Sequence, residues 1–525
     1  MSEGATPTPG PTQGSEARRA ASRGRGPSTG DVVAGVSVAL VAIPQSLAYA
    51  ELAGLPAQHG LFASALPSIA AAAFVSSRHL QTGPVALTAL LTFGALSGQA
   101  PTGTAEFARL AALLALLVGG FRLVLGLVRL GRLAYLLSEP VLAGFTTGAA
   151  VLIISSQLPR VFDVTGGEGG VLRNAVTALT SPDEWRVGAL AFAIGTAAVI
   201  VGGRRLHRLF PGVLVAVVVA TITSATLDYD GSVIGELSGG FVTLGLDLPW
   251  GSAGGLLLPA FVIALVGFAE PASIARTFAA RDREPWDANR EMVSQGVANL
   301  VAGLTRAFPV GGSFSRSSLN RLAGATSPWA GAITGLCVLA ALPATPVLAD
   351  LPSAVLGAIV VVAVIGLVRL DVIVDLVRRN RAQGAVAGGT LAATLLAAPR
   401  IERGVLVGIG LALVVHLVRE LRVTADSDFD DGRLLVRPKG VLWFATIASV
   451  DDLIREHLGR PDADLETVVF DLDGVGRLDY SAAAALARLG EELRDVGIDV
   501  RVVNVQPGAY RAAQIHLPDS DRPSP

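Results

Sequence analysis

The chain has 525 residues, 51% of them hydrophobic and only 16% charged, with a mean hydropathy of +0.56. Soluble chains carry about 25% charged residues, so this composition points to helix packing in lipid, and a net charge of −2 gives no reason to expect nucleic acid as a partner. The single cysteine, Cys337, excludes a disulfide framework within the chain and thiolate metal clusters.

Residues 1–30 are rich in Gly, Pro, Ser, Thr and Ala and carry Arg18, Arg19, Arg23 and Arg25. No apolar core follows within this stretch, so it is not a signal peptide and is expected to be a disordered cytoplasmic arm. Apolar segments then recur at about 31–50, 60–77, 84–99, 107–127, 138–157, 186–201, 209–226, 256–278, 293–305, 313–323, 328–344, 351–369, 383–398 and 402–422. These predict fourteen membrane segments. Several, among them 84–99, 293–305 and 313–323, fall short of the roughly 20 residues of a full crossing. Short, Gly/Pro-interrupted members in both halves are the sign of discontinuous helices.

Arginine placement sets the orientation. Arg122, Arg129 and Arg132 are read as following the fourth span, Arg204, Arg205 and Arg208 the sixth, and Arg281, Arg283 and Arg290 the eighth. Arg369, Arg378, Arg379 and Arg381 follow the twelfth, and Arg419 and Arg422 close the fourteenth. The connection after the seventh has Asp230, Glu236 and Asp247 without Lys or Arg. Arg400 and Arg403, with Arg160, Arg173 and Arg186, run against the pattern, but the asymmetry as a whole places both termini in the cytoplasm.

An internal repeat is visible where 38–50 (VALVAIPQSLAYA) resembles 262–275 (VIALVGFAEPASIA), with Gln45 and Glu270 separated by 225 residues. The break at Thr82-Gly83-Pro84 precedes the one at Gly311-Gly312-Ser313 by a similar distance. Seven spans per copy invert the second copy relative to the first, giving a 7+7 inverted repeat.

Backbone that leaves helical geometry at membrane depth must be buried in protein or line a cavity. Two half-helices starting at about Pro84 and Ser313 direct free N–H groups and dipoles at such a cavity, which suits an anion. The amides of Val85, Ala86, Ser313, Phe314 and Ser315 and the charge of Arg316 are the candidate ligands, with Phe314 as an apolar wall. Gln45 and Tyr49 lie four apart on one face of the first span and are expected to line the site. Glu270 has apolar neighbours, so its carboxylate must pair with an arginine such as Arg316, bind a cation or take up a proton; the last two would couple anion movement to Na+ or H+. Ser273 and Thr277 are candidate extra oxygen ligands. No phosphate loop, catalytic triad or metal cluster is present, so no cofactor and no enzyme activity are expected.

From about residue 426 the composition shifts to that of a small α/β domain, read as 426–520 after a 31–425 membrane part, with a disordered tail at 521–525. Strand-like runs are Leu434–Arg437, Val441–Phe444, Glu466–Leu472 and Val500–Val505, with helices over 446–458 and 481–496. Asp479 or Ser481 is expected to cap the second helix.

The motifs Ile43-Pro44-Gln45-Ser46-Leu47-Ala48-Tyr49-Ala50, Gly54-Leu55-Pro56, Gly60-Leu61-Phe62, Thr82-Gly83-Pro84 and Phe308-Pro309-Val310-Gly311-Gly312-Ser313-Phe314-Ser315-Arg316 resemble those of the bacterial sulfate-permease (SulP, solute-carrier 26) family. The tail, with Asp471, Gly474, Val475 and Asp479-Tyr480-Ser481, resembles a STAS domain. The resemblance implies a homodimeric anion transporter of the cytoplasmic membrane, with core and gate subdomains. Its core would move as an elevator, with Gln45, Tyr49, Val85, Ala86, Ser315 and Arg316 at the anion and Glu270 at the coupling site. Sulfate is the leading cargo, with bicarbonate and C4-dicarboxylates as alternatives and an anion channel or exchanger as another. In bicarbonate-carrying relatives an aspartate and a threonine face Na+; here Ile274 stands four residues after Glu270, which favours proton symport. Tyr480 occupies the place of the switchable Ser/Thr of soluble STAS proteins, so a dimerisation or regulatory role is expected for the tail.

Overall fold

The structure is a computed structural model. It describes residues 26–507 and 509, apart from 133–137, 166, 168, 208, 236–241, 243, 421–423, 444–445 and 459–464. The arginines of the expected N-terminal arm, Arg208, Glu236, Phe444 and the tail at 521–525 lie outside the described residues.

The first helix, α1 (Thr29–Leu52), opens with a capping box in which Ser28 and Asp31 satisfy each other's backbone amides. Asp31 is buried and also accepts from the Thr326 amide at 2.7 Å and the Ser327 amide at 2.9 Å, which fastens the start of α1 to a distant loop. The second span is broken into α2 (Gln58–Ser64) and α3 (Leu66–Phe74), with Pro67 in the first turn of the latter, where its missing N–H costs nothing. A two-residue strand β1 (Thr82–Gly83) leads to the short α4 (Ala86–Leu96). Then follow α5 (Ala105–Leu127), α6 (Glu139–Phe162), α7 (Val171–Thr180), α8 (Val187–Leu206) and α9 (Gly212–Thr226).

The second half begins with α10 (Ala253–Asp282) and α11 (Ala288–Leu304), then strand β2 (Gly311–Gly312) and the short α12 (Phe314–Leu322). It continues through α13 (Trp329–Ala341), α14 (Ser353–Val364), α15 (Leu370–Arg379), α16 (Arg381–Leu396) and α17 (Glu402–Glu420). Every one of the fourteen expected spans falls on helix. Among the described residues seven helical segments are long and apolar enough to cross a membrane. The amphipathic α7 and α15 were not expected. Arg122, grouped from sequence with the arginines that follow the fourth span, instead lies inside α5 and is fully buried, because backbone carbonyls of Ile263, Ala264 and Val310 take up its guanidinium.

The chain divides into two compact units after Leu411, within α17. The second holds β3 (Thr424–Asp430), β4 (Arg433–Leu442), α18 (Ile447–Leu458), β5 (Thr467–Asp471), β6 (Val475–Leu478), α19 (Tyr480–Asp495) and β7 (Asp499–Val503). Its sheet runs β3-β4-β5-β7, with β6 also paired to β4; only the β3–β4 pairing is antiparallel. Leu434, Val436, Val468, Phe470 and Leu486 are at the centre of its core. The runs 434–437 and 441–444, read as two strands, belong to one continuous strand as far as Leu442, and β3 and β6 were missed. Asp479 caps α19, accepting from the Ala482 amide at 2.7 Å.

Candidate anion site

The two breaks meet. Thr82 pairs with Gly312 and Gly83 with Gly311 in an antiparallel crossing, and the Ser313 amide, expected from sequence to be free for the anion, is instead spent on the Gln81 carbonyl at 3.0 Å. The crossing is close enough to require glycine. A Cβ on Gly312 would stand 2.8 Å from Leu80 Cδ1 and 3.0 Å from Pro271 Cβ. That packing also brings Glu270, the residue before Pro271, to the crossing.

From it the two half-helices depart. Ser313, in an extended conformation, is the N-cap of α12, and its hydroxyl accepts from the Arg316 amide. The corresponding cap of α4 is Val85, also extended, so the helix starts at Ala86 and not at Pro84. Pro84 contributes through its carbonyl, which accepts from Arg316 Nη2 at 2.6 Å. The first amides of both helices have no intrahelical acceptor, and each terminus carries the equivalent of roughly half a positive charge.

Arg316 is buried, 1% exposed. Gly83 sits against it, with positive φ, and a Cβ there would lie 3.1 Å from Nη1. Nε of Arg316 is buried with no hydrogen-bond partner, and among the described residues Arg316 forms no ion pair with a carboxylate. The Arg316–Glu270 salt bridge weighed from sequence is therefore not formed, although Glu270 and Tyr49 are within electrostatic reach of the guanidinium. The Glu270 carboxylate also faces the backbone amide of Phe314 at the start of α12.

Tyr49 and Gln45 are buried one turn apart on α1, which packs against both half-helices. Gln45 Oε1 is a buried acceptor without a partner. Val85 and Ala86 are buried at the start of α4. Phe314, by contrast, is 56% exposed and Ser315 is exposed beside it, so Phe314 forms no closed apolar wall. Thr277 donates its hydroxyl to the Ser273 carbonyl of its own helix, and Ile274 packs with Val75, Leu80 and Phe278. No group of three or more His, Cys, Asp or Glu side chains suited to a metal exists among the described residues.

Sequence reasoning missed the residues behind the crossing. Gln295 Nε2 on α11 donates to Thr82 Oγ1 at 2.7 Å, and Asn299, one turn on, holds both the amide and the carbonyl of Val310. Arg122 reaches the same Val310 carbonyl from α5. An arginine amid the apolar residues of 107–127 was the only signal.

The profile of the sulfate permease family matches residues 29–387. The chain belongs to the sulfate permease family. A STAS-domain profile matches residues 424–517. The chain is 31% identical over 513 residues to sulfate transporter 4.1, chloroplastic, of Arabidopsis thaliana, covering 90% of this chain and 75% of the relative. It is 34% identical over 503 residues to a probable sulfate transporter of Mycobacterium tuberculosis, covering 91% and 89%. Its fold matches the murine solute carrier 26 member A9 anion transporter with a TM-score of 0.85 at 23% identity, over 93% of this chain and 87% of that one. The transmembrane domain of the cyanobacterial bicarbonate transporter BicA matches with a TM-score of 0.61 at 24% identity, over 73% and 97%. The protein is accordingly a multi-pass membrane transporter with a C-terminal STAS domain, and members of this family are transporters rather than enzymes.

Proposed function

We propose that this sulfate-permease family member carries a small divalent or monovalent anion, sulfate first, between the N-termini of α4 and α12, and moves it with a proton. The observation that carries the reading is Arg316: a guanidinium buried at the meeting of two half-helix N-termini, with its Nε unpartnered and, among the described residues, no carboxylate ion pair. Such a charge at membrane depth is expensive unless something anionic shares its surroundings. Ser315 and the amides of Val85, Ala86 and Phe314 complete the ligand set, and Gln45 and Tyr49 line the side formed by α1.

Glu270 is the coupling residue in this reading. Its carboxylate faces the same α12 terminus that the anion uses. An ionised Glu270 competes with the anion for that positive end, whereas a protonated one leaves it open. Proton and anion therefore enter together. The apolar side chain of Ile274, packed with Val75, Leu80 and Phe278 one turn after Glu270, offers no oxygen of its own to a cation, which favours H+ over Na+. The half-helices belong to a core that moves as an elevator against a gate, in a homodimer of the bacterial cytoplasmic membrane with both termini cytoplasmic, and the STAS domain serves dimerisation or regulation.

The test is uptake into proteoliposomes of labelled sulfate, bicarbonate and fumarate under an inward proton gradient, an inward Na+ gradient, or neither. Proton-stimulated, saturable sulfate uptake is the expected result. Stimulation by Na+ alone would move the function to bicarbonate import and make Glu270 a cation ligand, and flux indifferent to both gradients would make the protein a channel, uniporter or exchanger.

A further inference from the structure

Arg122 is among the largest fully buried side chains of the protein, and it has no role in the site described so far. It sits on α5, and its guanidinium donates to three backbone carbonyls: Nε to Ala264 at 3.1 Å, Nη2 to Ile263 at 3.2 Å and Nη1 to Val310 at 2.9 Å. No carboxylate pairs with it among the described residues. Burying a guanidinium without a counter-ion is costly, and a neutral donor would serve a merely structural bond.

The acceptors identify what it holds. Ile263 and Ala264 are on α10, less than two turns before Glu270. Val310 is the residue before β2, from which α12 is suspended. The Val310 carbonyl is gripped a second time by Asn299, whose Nδ2 donates to it at 3.0 Å and whose Oδ1 accepts from the Val310 amide at 2.9 Å. The two helices α5 and α11 thus hold both backbone polar groups of Val310, and so the peptide planes on either side of its Cα, three residues ahead of the Ser313 cap. Gly267 leaves the space for this: a Cβ there would be 2.6 Å from Arg122 Nη2.

We infer that Arg122 is a positioning residue for the anion site. It ties α10, which carries Glu270, to the strand that aims the α12 N-terminus, and it places a fixed positive charge behind that strand. It does not touch the anion. This rests on the proposed reading of the α4–α12 site.

The test is thermal unfolding of the full-length protein in detergent against increasing sulfate, bicarbonate and fumarate, comparing wild type with Arg122→Lys, Gly267→Ala and Leu114→Ala. Lysine keeps the charge but not the three-pronged fork, and Gly267→Ala leaves Arg122 in place while pushing it off its carbonyls, so one variant remains informative where the other does not fold. Leu114, buried on the same helix and remote from this network, controls for plain destabilisation. Wild type is expected to be stabilised saturably by at least one anion. Arg122→Lys and Gly267→Ala should raise the anion midpoint by roughly tenfold, the effect of weakening one charged hydrogen bond. Leu114→Ala should lower the melting temperature and leave the midpoint unchanged. Wild-type midpoints in both Arg122→Lys and Gly267→Ala would overturn the inference, whereas a wild type stabilised by none of the anions would overturn the reading of the site itself, and this inference with it.

Discussion

Adding one methyl group at Gly83 separates the two things that glycine does. Its φ of +156° lies in a region where an alanine costs about 1–3 kcal/mol. That strain acts on the crossing whether or not an anion is bound, so it lowers overall stability and leaves affinity alone. The new Cβ would also stand 3.1 Å from Arg316 Nη1 and 3.4 Å from Nη2. These atoms are the far end of a flexible side chain, so the guanidinium yields by a few tenths of an ångström. The contact it loosens is the 2.6 Å bond to the Pro84 carbonyl. A charged hydrogen bond contributes about 1.5–3 kcal/mol, and losing about half of it comes to roughly 1 kcal/mol, or about fivefold in affinity. Gly83→Ala should therefore lower the melting temperature and raise the KM for sulfate uptake by about fivefold, with little change in maximal rate per folded protein. Proteoliposome kinetics normalised to folded protein read both. A variant with wild-type KM would show that Arg316 is not held at the anion by this strand.

Further substitutions test the other parts. Arg316→Ala removes the guanidinium that faces the two half-helix starts and leaves the Pro84 carbonyl without its donor; sulfate binding by equilibrium dialysis should fall by at least about a hundredfold (roughly 3 kcal/mol), and binding near wild type in folded protein would remove Arg316 from the site. Glu270→Gln mimics the protonated carboxyl, so sulfate exchange between equal concentrations should persist while proton-driven accumulation is lost; accumulation up a proton gradient by the variant would end the coupling role. Asp31→Ala strips acceptors from the Thr326 and Ser327 amides at a buried site, which should cost about 3 kcal/mol of stability, seen as a lower melting temperature with unchanged KM; a raised KM would show that the start of α1 also shapes the anion site.

The parts of the fold that were legible in the sequence are those written locally. The apolar runs announce the spans and the Gly/Pro breaks announce the half-helices, whereas Ser28, placed in the expected disordered arm, instead caps the first helix at Thr29. What was not legible depends on partners far apart in the chain. Arg122 lies near the end of an apolar run that is followed by Arg129 and Arg132, and sequence alone does not distinguish a last-turn arginine from one six residues inside the helix that faces carbonyls 141, 142 and 188 positions away. Pro84 had the signature of a first helical residue, yet the helix starts two residues later at Ala86, and the Pro84 carbonyl serves as an acceptor for Arg316, 232 residues on. In the second unit β3 escaped because its alternate positions are Asp426, Asp428 and Asp430; charge on an edge strand prevents unwanted pairing and hides the apolar alternation that reveals a strand. Phe314 looked like a wall because aromatic residues usually pack, but its place at the first turn of α12 turns it out of the packed interior.

The central claim is that an anion sits between the starts of α4 and α12. Its most direct test is a structure determined with selenate, a heavier analogue of sulfate, at a concentration that competes with sulfate uptake, using the anomalous signal of selenium to locate it. The account predicts a single strong peak within hydrogen-bond reach of the Ala86 and Ser315 amides and beside Arg316. A peak elsewhere in the membrane unit, with the space beside Arg316 empty at a competing concentration, would contradict it.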